Sequence, residues 1–272
     1  METLSIIFGA LVGLSLGLTG GGGAIFAVPL LVYGLSVAPR EAVVISLASV
    51  GATSFVGFLH RWRLGEVEHQ TGLLFALAGM TGAPLGAWCA TLIPDAVLLT
   101  LFGGLMVVVA VRLWQQAAQP HLPITDCPPA GCHTSAICQR DASGALLLTS
   151  HCALILLSAG VMTGVLSGLF GVGGGFVIVP ALVLFSGMQI HRAVGTSLMV
   201  IALVSLSGIF FQFAAGHRVP PQLTLLFVAG GIAGLFIGQQ IGRRLSGPAL
   251  QKTFAIAILA VAVFVIARNF AT

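Results

Sequence analysis

The sequence predicts an all-α polytopic membrane protein made of two inverted repeats, each a glycine-tipped half-helix hairpin followed by three transmembrane helices. Three observations predict it: a composition suited to lipid, a duplicated glycine pattern, and a one-sided distribution of basic residues. Of 272 residues, 57% are apolar and 7% charged, with a mean hydropathy of +1.09. Soluble domains carry about 25% charged residues, so a soluble globular enzyme is excluded. The 36 glycines are near twice the usual share, which suits close helix packing in membranes. The net charge is +4. Its basic residues fall in short connections between apolar runs, so they read as topology signals rather than as a nucleic-acid surface.

The first apolar run, 4–18, has the length of a secretory signal. It has no basic n-region, since the chain opens Met1-Glu2-Thr3, and no small-residue cleavage pattern follows it. It also belongs to the repeat, so it reads as structure.

Two stretches align at an offset of 151 residues. Gly13, Gly17, Gly20, Gly22, Gly23 and Pro29 match Gly164, Gly168, Gly171, Gly173, Gly174 and Pro180. The same offset pairs Ala42, Val43, Ser46 and Leu47 with Ala193, Val194, Ser197 and Leu198. After a slip of one residue, Gly79, Gly82 and Gly86 match Gly231, Gly234 and Gly238. Order and spacing held over this length indicate duplication, which is common in secondary transporters.

Each half has five apolar runs: 4–18, 24–36, 42–60, 71–92 and 96–114, then 146–170, 175–187, 193–214, 223–242 and 248–267. At 1.5 Å per residue the first two runs reach only ~22 and ~20 Å against a ~30 Å hydrocarbon core. They read as half-helices meeting at the glycine cluster, either as a re-entrant hairpin or as one broken helix. Such backbone is tolerated at membrane depth only where protein buries it or where it lines a cavity.

The two options differ in topology. A hairpin plus three spans crosses an odd number of times and inverts the second half; a broken helix plus three spans leaves both halves parallel. In the inverted arrangement Arg61, Arg63, Arg112, Arg140, Arg192, Arg243, Arg244 and Lys252 share one side, leaving Arg40, Arg218 and Arg268 on the other. The parallel arrangement splits the same residues almost evenly. The positive-inside bias therefore favours inversion with both termini outside, although five full spans per half would invert as well.

The domain organisation that follows is a first transmembrane repeat over 1–114, a polar cysteine-bearing linker over 115–147 on the cytoplasmic side, and a second repeat over 148–272. The linker region holds Cys127, Cys132 and Cys138 with His133, and Cys152 lies beside it. Their C-x4-C and C-x5-C spacings differ from the C-x2-C pairs of zinc ribbons. Cys127, Cys132, Cys138 and His133 are therefore weak metal candidates, and reduced thiols are the leading reading in a reducing compartment. No cofactor is expected.

The glycine clusters are the strongest chemical feature. The first amides of a helix lack internal partners and carry about half a positive charge, so half-helices starting in the protein interior can bind an anion without a buried cation. The expected donors are the amides around Gly22, Gly23 and Ala24 and around Gly173, Gly174, Gly175 and Phe176. Ser46, Thr196 and Ser197 on the third segments would add side-chain donors. Gly79, Gly82 and Gly86, spaced i, i+3, i+7, instead read as a smooth packing face. A nucleotide-binding loop is unlike these clusters, since no Gly-Lys-Ser/Thr follows. All seven acids lie at run ends or in loops, so the midplane carboxylate relay of a proton pump is missing, as is any hydrolase triad.

At Gly17-Leu18-Thr19-Gly20-Gly21-Gly22-Gly23 and Gly168-Leu169-Phe170-Gly171-Val172-Gly173-Gly174-Gly175, each leading to Pro29 or Pro180, the chain resembles the TauE/SafE sulfite exporter family. The run His191-Arg192-Ala193-Val194-Gly195-Thr196-Ser197-Leu198 is similar to that family's second-half signature. The resemblance covers nearly the whole chain, apart from the cysteine-bearing linker. It implies a multi-pass transporter of the bacterial cytoplasmic membrane and no enzyme. The implied cargo is a small sulfur oxyanion or sulfonate (sulfite, thiosulfate or sulfoacetate), with export as the expected direction. The implied partners are that anion and the lipid bilayer, with no nucleic acid; homo-oligomerisation is compatible with the composition. The alternative from another class is a membrane thiol-redox protein or sensor built on the linker cysteines.

Overall fold

A computed structural model describes residues 2–118, 150–171, 174–175, 178–179, 181–182, 190–214, 220–242, 256, 258–263 and 265. The described residues form helices joined by short turns, with no strand among them. The helices are α1 (Glu2–Thr19), α2 (Gly22–Gly34), α3 (Pro39–Arg63), α4 (His69–Leu92), α5 (Asp95–Ala118), α6 (Ser150–Phe170), α7 (Ile190–Ala214) and α8 (Pro221–Gly242). Six of them, α1, α3, α4, α6, α7 and α8, are long and apolar enough to cross a membrane. Large apolar side chains such as Phe210, Leu154, Leu225 and Trp88 face outward, as a lipid-facing surface requires.

Glycine ends the first helix of each half in the same way. Gly20 and Gly171 take φ of 76° and 69°, a left-handed turn that a β-carbon would strain. Their amides close on Leu16 and Ser167, each at 2.8 Å. Past Gly20 the chain winds tightly over Gly22–Phe26, then widens over Leu30–Gly34 just after Pro29, whose ring removes an N–H from the ladder. This α2 returns along α1, with Gly23 against the backbone of Ser15 and Leu16 and Gly34 against the Phe8 ring. The first two runs are therefore a hairpin and not a broken helix. α1 is longer than its apolar run, at 18 residues or ~27 Å, because Glu2 and Thr3 extend it and an acid in the first turn favours the helix dipole.

Contacts between helices are exchanged between the halves. Gly9, Gly13 and Gly17 of α1 sit on the backbone of Phe227, Gly231 and Leu235 in α8. Their repeat counterparts Gly160, Gly164 and Gly168 of α6 sit on Phe75, Gly79 and Ala83 in α4. Among the described residues these two pairs are the most extensive, and in both the helices run in the same direction. Gly82 and Gly86 face the carbonyls of Val161 and Val165, which agrees with the packing role read from their spacing. Replacing Gly86 with Leu should therefore abolish the folded fraction recovered in detergent, measured by size-exclusion profile, since no β-carbon fits there without separating α4 from α6.

At the centre α3 crosses α7. Gly51 lies against Ser205, Gly57 against Leu198 and Gly208 against Leu47, so these helices, equivalent by the repeat, run antiparallel. One end of the bundle thus gathers the end of α3 and the start of α7, with Arg61, Arg63 and Arg192. The opposite end holds the start of α3, with Arg40.

Two sequence expectations change. Helix α5 continues through Gln115, Gln116, Ala117 and Ala118, into the stretch read as linker, because glutamine and alanine propagate a helix well. The remaining linker residues, with Cys127, Cys132, Cys138 and His133, lie outside the described residues. Cys152 is fully buried and disulfide-bonded rather than a reduced thiol, with its partner outside the described residues.

Candidate functional site

The two tips come together. A β-carbon on Gly21 would lie 2.8 Å from Cα of Gly175, and one on Gly175 would lie 2.5 Å from the Ile201 side chain. The meeting point is therefore level with the α3–α7 crossing. Only glycine on both strands allows this approach. Gly22, Gly23, Ala24, Gly174 and Gly175 are all buried here, whereas Gly173 and Phe176 lie outside the described residues.

The first tip is fixed by hydroxyls. Thr19 Oγ1 accepts the Gly22 amide at 3.0 Å and donates to Ser15 O at 2.8 Å, so it caps the start of α2. Ser197 donates to Gly20 O at 2.6 Å, with Val194 O at 2.8 Å as its other acceptor. Thr196 accepts the Glu68 amide at 3.0 Å. Of the expected side-chain donors, then, Ser197 positions the tip and Thr196 ties α7 to the α3–α4 turn. Gly20 abuts Val194, ~6 Å along α7 from Ile190 at 1.5 Å per residue.

The second tip is arranged like the first but carries fewer hydroxyl ties among the described residues. Gly171 abuts Val43 as Gly20 abuts Val194. Ser46, the counterpart of Ser197, is fully buried and its hydroxyl has no hydrogen-bond partner. The counterpart of Thr19 is Phe170, which has no capping oxygen and packs on Phe102 at 5.5 Å between ring centroids. Ser49, Ser54, Ser205 and Ser167 are likewise buried hydroxyls without partners. Ser54 and Ser205 are themselves repeat counterparts. Unmatched buried polar groups are rare in native interiors; here they concentrate on α3, α6 and α7 around the tips.

A polar cluster that the sequence reading missed closes the Arg61 end. By sequence Arg61 is one of the basic topology signals in the connections between apolar runs. Instead α3 carries it in its last turn, its side chain is 8% exposed, and Nη1 pairs with Glu66 at 2.7 Å. Thr71 donates to Glu68 at 2.6 Å, and Gly195 packs on the Glu66 carbonyl. The available signal was Gly65, a left-handed residue (φ 71°) that marks the end of a helix containing Arg61. Gln239 of α8 is buried nearby in sequence register with Gly17, its Nε2 without a partner. His60 packs edge-on against Phe236. No group of three or more metal-ligating side chains occurs among the described residues.

The model of the family described as sulfite exporter TauE/SafE matches residues 5–265. A probable membrane transporter protein of Xylella fastidiosa is 34% identical over 271 residues, covering 97% of this chain and 94% of its own length. The probable membrane transporter protein YunE of Bacillus subtilis is 26% identical over 259 residues, covering 92% of this chain and 90% of its own. No solved structure matches.

Proposed function

The chain belongs to the TauE/SafE sulfite exporter family, and from that premise we propose a secondary transporter that moves a small sulfur-containing anion outward across the cytoplasmic membrane. Sulfite, thiosulfate and sulfonates are the cargo class. The observation that carries the reading is the contact of Gly21 with Gly175, amid buried hydroxyls that have no protein partner. Two half-helix starts there can offer amide N–H groups to an oxyanion. Gly23 on one tip and Gly174 and Gly175 on the other, with the Ser46 hydroxyl, form the core of the site; the Gly22 amide is already capped by Thr19 and the Ala24 amide is donated to Gly21 O at 3.4 Å. Up to ~2 kcal/mol per partly buried helix end, added to hydrogen bonds, supports micromolar-to-millimolar binding, weak enough for release. The test is flux into proteoliposomes of labelled sulfite, thiosulfate, sulfoacetate and sulfate. Saturable movement of at least one sulfur anion supports the proposal, and flux of none refutes it.

Inverted repeats are part of this proposal. The antiparallel crossing of α3 with α7 and the exchanged α1–α8 and α6–α4 contacts support them. With the Arg61 end in the cytoplasm, the linker is cytoplasmic and both termini are outside. A periplasm-dependent reporter inserted at Ser135 should stay silent while one at the C-terminus is active; the reverse pattern overturns the orientation.

One observation favours the second reading, a thiol-redox protein: the disulfide at Cys152, since a disulfide on the cytoplasmic side of a mesophile is usually catalytic or redox-sensing. Changing Cys127, Cys132, Cys138 and Cys152 together to Ser separates the two. Anion flux retained by that variant supports transport without thiol chemistry.

A further inference from the structure

We propose, resting on the transporter reading above, that Arg61 receives the cargo anion at one mouth of the bundle and takes it in exchange for the Glu66 carboxylate. Arg61 lies in the last turn of α3, its side chain 8% exposed and its Nη1 2.7 Å from Glu66, whose own side chain is 31% exposed. A guanidinium so buried needs an anionic partner, and removing that partner without a replacement is strongly destabilising. The planar fork of an arginine matches two oxygens of a carboxylate, and it offers the same donors to two oxygens of a sulfite, thiosulfate or sulfonate. The arriving anion therefore needs no cavity of its own. It takes the place that the carboxylate leaves.

The turn that carries Glu66 lets the side chain leave while the backbone stays. The amides of Leu64 and Glu66 close on Arg61 O at 3.1 Å, and that of Gly65 on Trp62 O at 3.0 Å, so the turn is anchored to α3. A β-carbon on Gly65 would meet nothing within 4 Å, which leaves open space beside the turn. Glu66 is the better hydrated of the pair, so its carboxylate can go to water where the guanidinium cannot.

Behind Arg61 lies the first tip. Gly57, one turn before Arg61 on the same face of α3, lies against Leu198 of α7. The start of α7 then joins the two places. Gly195 packs on the Glu66 carbonyl and Val194 abuts Gly20, while Thr196 accepts the Glu68 amide at 3.0 Å and Ser197 donates to Gly20 O at 2.6 Å. Val194 to Ser197 cover ~5 Å of helix at 1.5 Å per residue, so an anion on Arg61 is separated from the first tip by about one turn of α7. The counterpart of Arg61 in the other repeat is Gln212, which has no charge to exchange. At this position, then, exchange is confined to one end, and that end stays shut until an anion replaces Glu66.

Thermal melts in lipid-free detergent test the exchange, with sulfite compared against chloride at equal ionic strength. Glu66→Gln leaves the place of the carboxylate to be filled. Sulfite at ten times its half-saturating concentration should therefore raise the melting temperature of that variant by about 4 °C more than that of the unmodified protein. The uncharged pair, Arg61→Met with Glu66→Leu, should show no such excess. An equal shift in Glu66→Gln and the unmodified protein, or a shift with chloride as large as with sulfite, overturns the proposal. A second measurement does not depend on Glu66→Gln folding. Arg61→Lys keeps the charge and loses the fork, so in inverted membrane vesicles, which turn the Arg61 end to the medium, half-saturating sulfite should rise about tenfold. An unchanged value there also overturns the proposal. If the unmodified protein carries no sulfur anion, the transport reading fails, whereas the melting shifts still decide whether Arg61 takes an oxyanion.

Discussion

Replacing Ser46 with Ala should lower sulfite flux by about ten- to a hundredfold while the melting temperature in detergent stays unchanged or rises. A hydrogen bond to a charged group contributes ~1.5–3 kcal/mol, and each 1.4 kcal/mol is about a tenfold change. The hydroxyl of Ser46 is fully buried and bonds to nothing in the protein. Removing it deprives only a bound anion of a donor, and relieves an unmet polar group. Ser197→Ala, the counterpart, should behave differently. Its hydroxyl holds Gly20 O at 2.6 Å, so its loss should cost about 1 kcal/mol of stability as well as flux. Flux assays paired with thermal melts separate the two roles. Equal stability loss in both variants would mean that Ser46 is a structural hydroxyl like its counterpart.

Glu66→Gln should destabilise the protein by about 3 kcal/mol, near the low end for breaking a buried pair, because it leaves the Arg61 guanidinium buried without its carboxylate. Arg61→Gln should cost less. The Glu66 side chain is 31% exposed against 8% for Arg61, so the orphaned carboxylate can rehydrate where the orphaned guanidinium cannot. Replacing both, Arg61→Met with Glu66→Leu, should recover most of the loss. Denaturant or thermal unfolding of the four proteins forms the cycle. An inverted order, with Arg61→Gln the worse variant, would show that the clasp is not held by this pair. Opening of the clasp should also raise solvent access at Thr196, whose oxygen takes the Glu68 amide.

The first hairpin was legible because its cause is local. A four-glycine cluster between two short apolar runs has few other uses, and Gly20 and Gly171 adopt the left-handed turn that such residues permit. The packing face of Gly79, Gly82 and Gly86 was legible for the same reason, as a property of one helix. Which helix fills each groove was not. Gly13 meets Gly231 while Gly164 meets Gly79, and spacing within a helix does not specify its partner. The burial of Arg61 was hidden because a charge at the end of an apolar run resembles a lipid-headgroup anchor. Only the turn at Gly65 and the carboxylate beyond it distinguish the two.

The candidate site was legible in part. Two glycine clusters predicted to meet do come together at Gly21 and Gly175, yet a hydroxyl's partner depends on a few degrees of rotation. Ser197 and Thr196 are expected donors to the anion; in the fold Ser197 also bonds Gly20 O and Thr196 also accepts the Glu68 amide. Thr19, absent from the expected set, supplies the cap on Gly22. Tertiary contact also changes the meaning of the glycine substitutions. Gly23 lies on the backbone of Ser15 and Leu16, so Gly23→Val should open the hairpin as well as crowd the anion, and is a poorer probe of binding than Ser46→Ala.

The most direct test of the central claim is the position of a bound anion in crystals of the full chain grown with selenate, the heavier analogue of a sulfur oxyanion. The account predicts one anomalous peak beside the contact of the two tips, within hydrogen-bond distance of the Ser46 hydroxyl and the Gly23 amide. A peak confined to the linker cysteines, with none beside the Gly21–Gly175 contact, would contradict it.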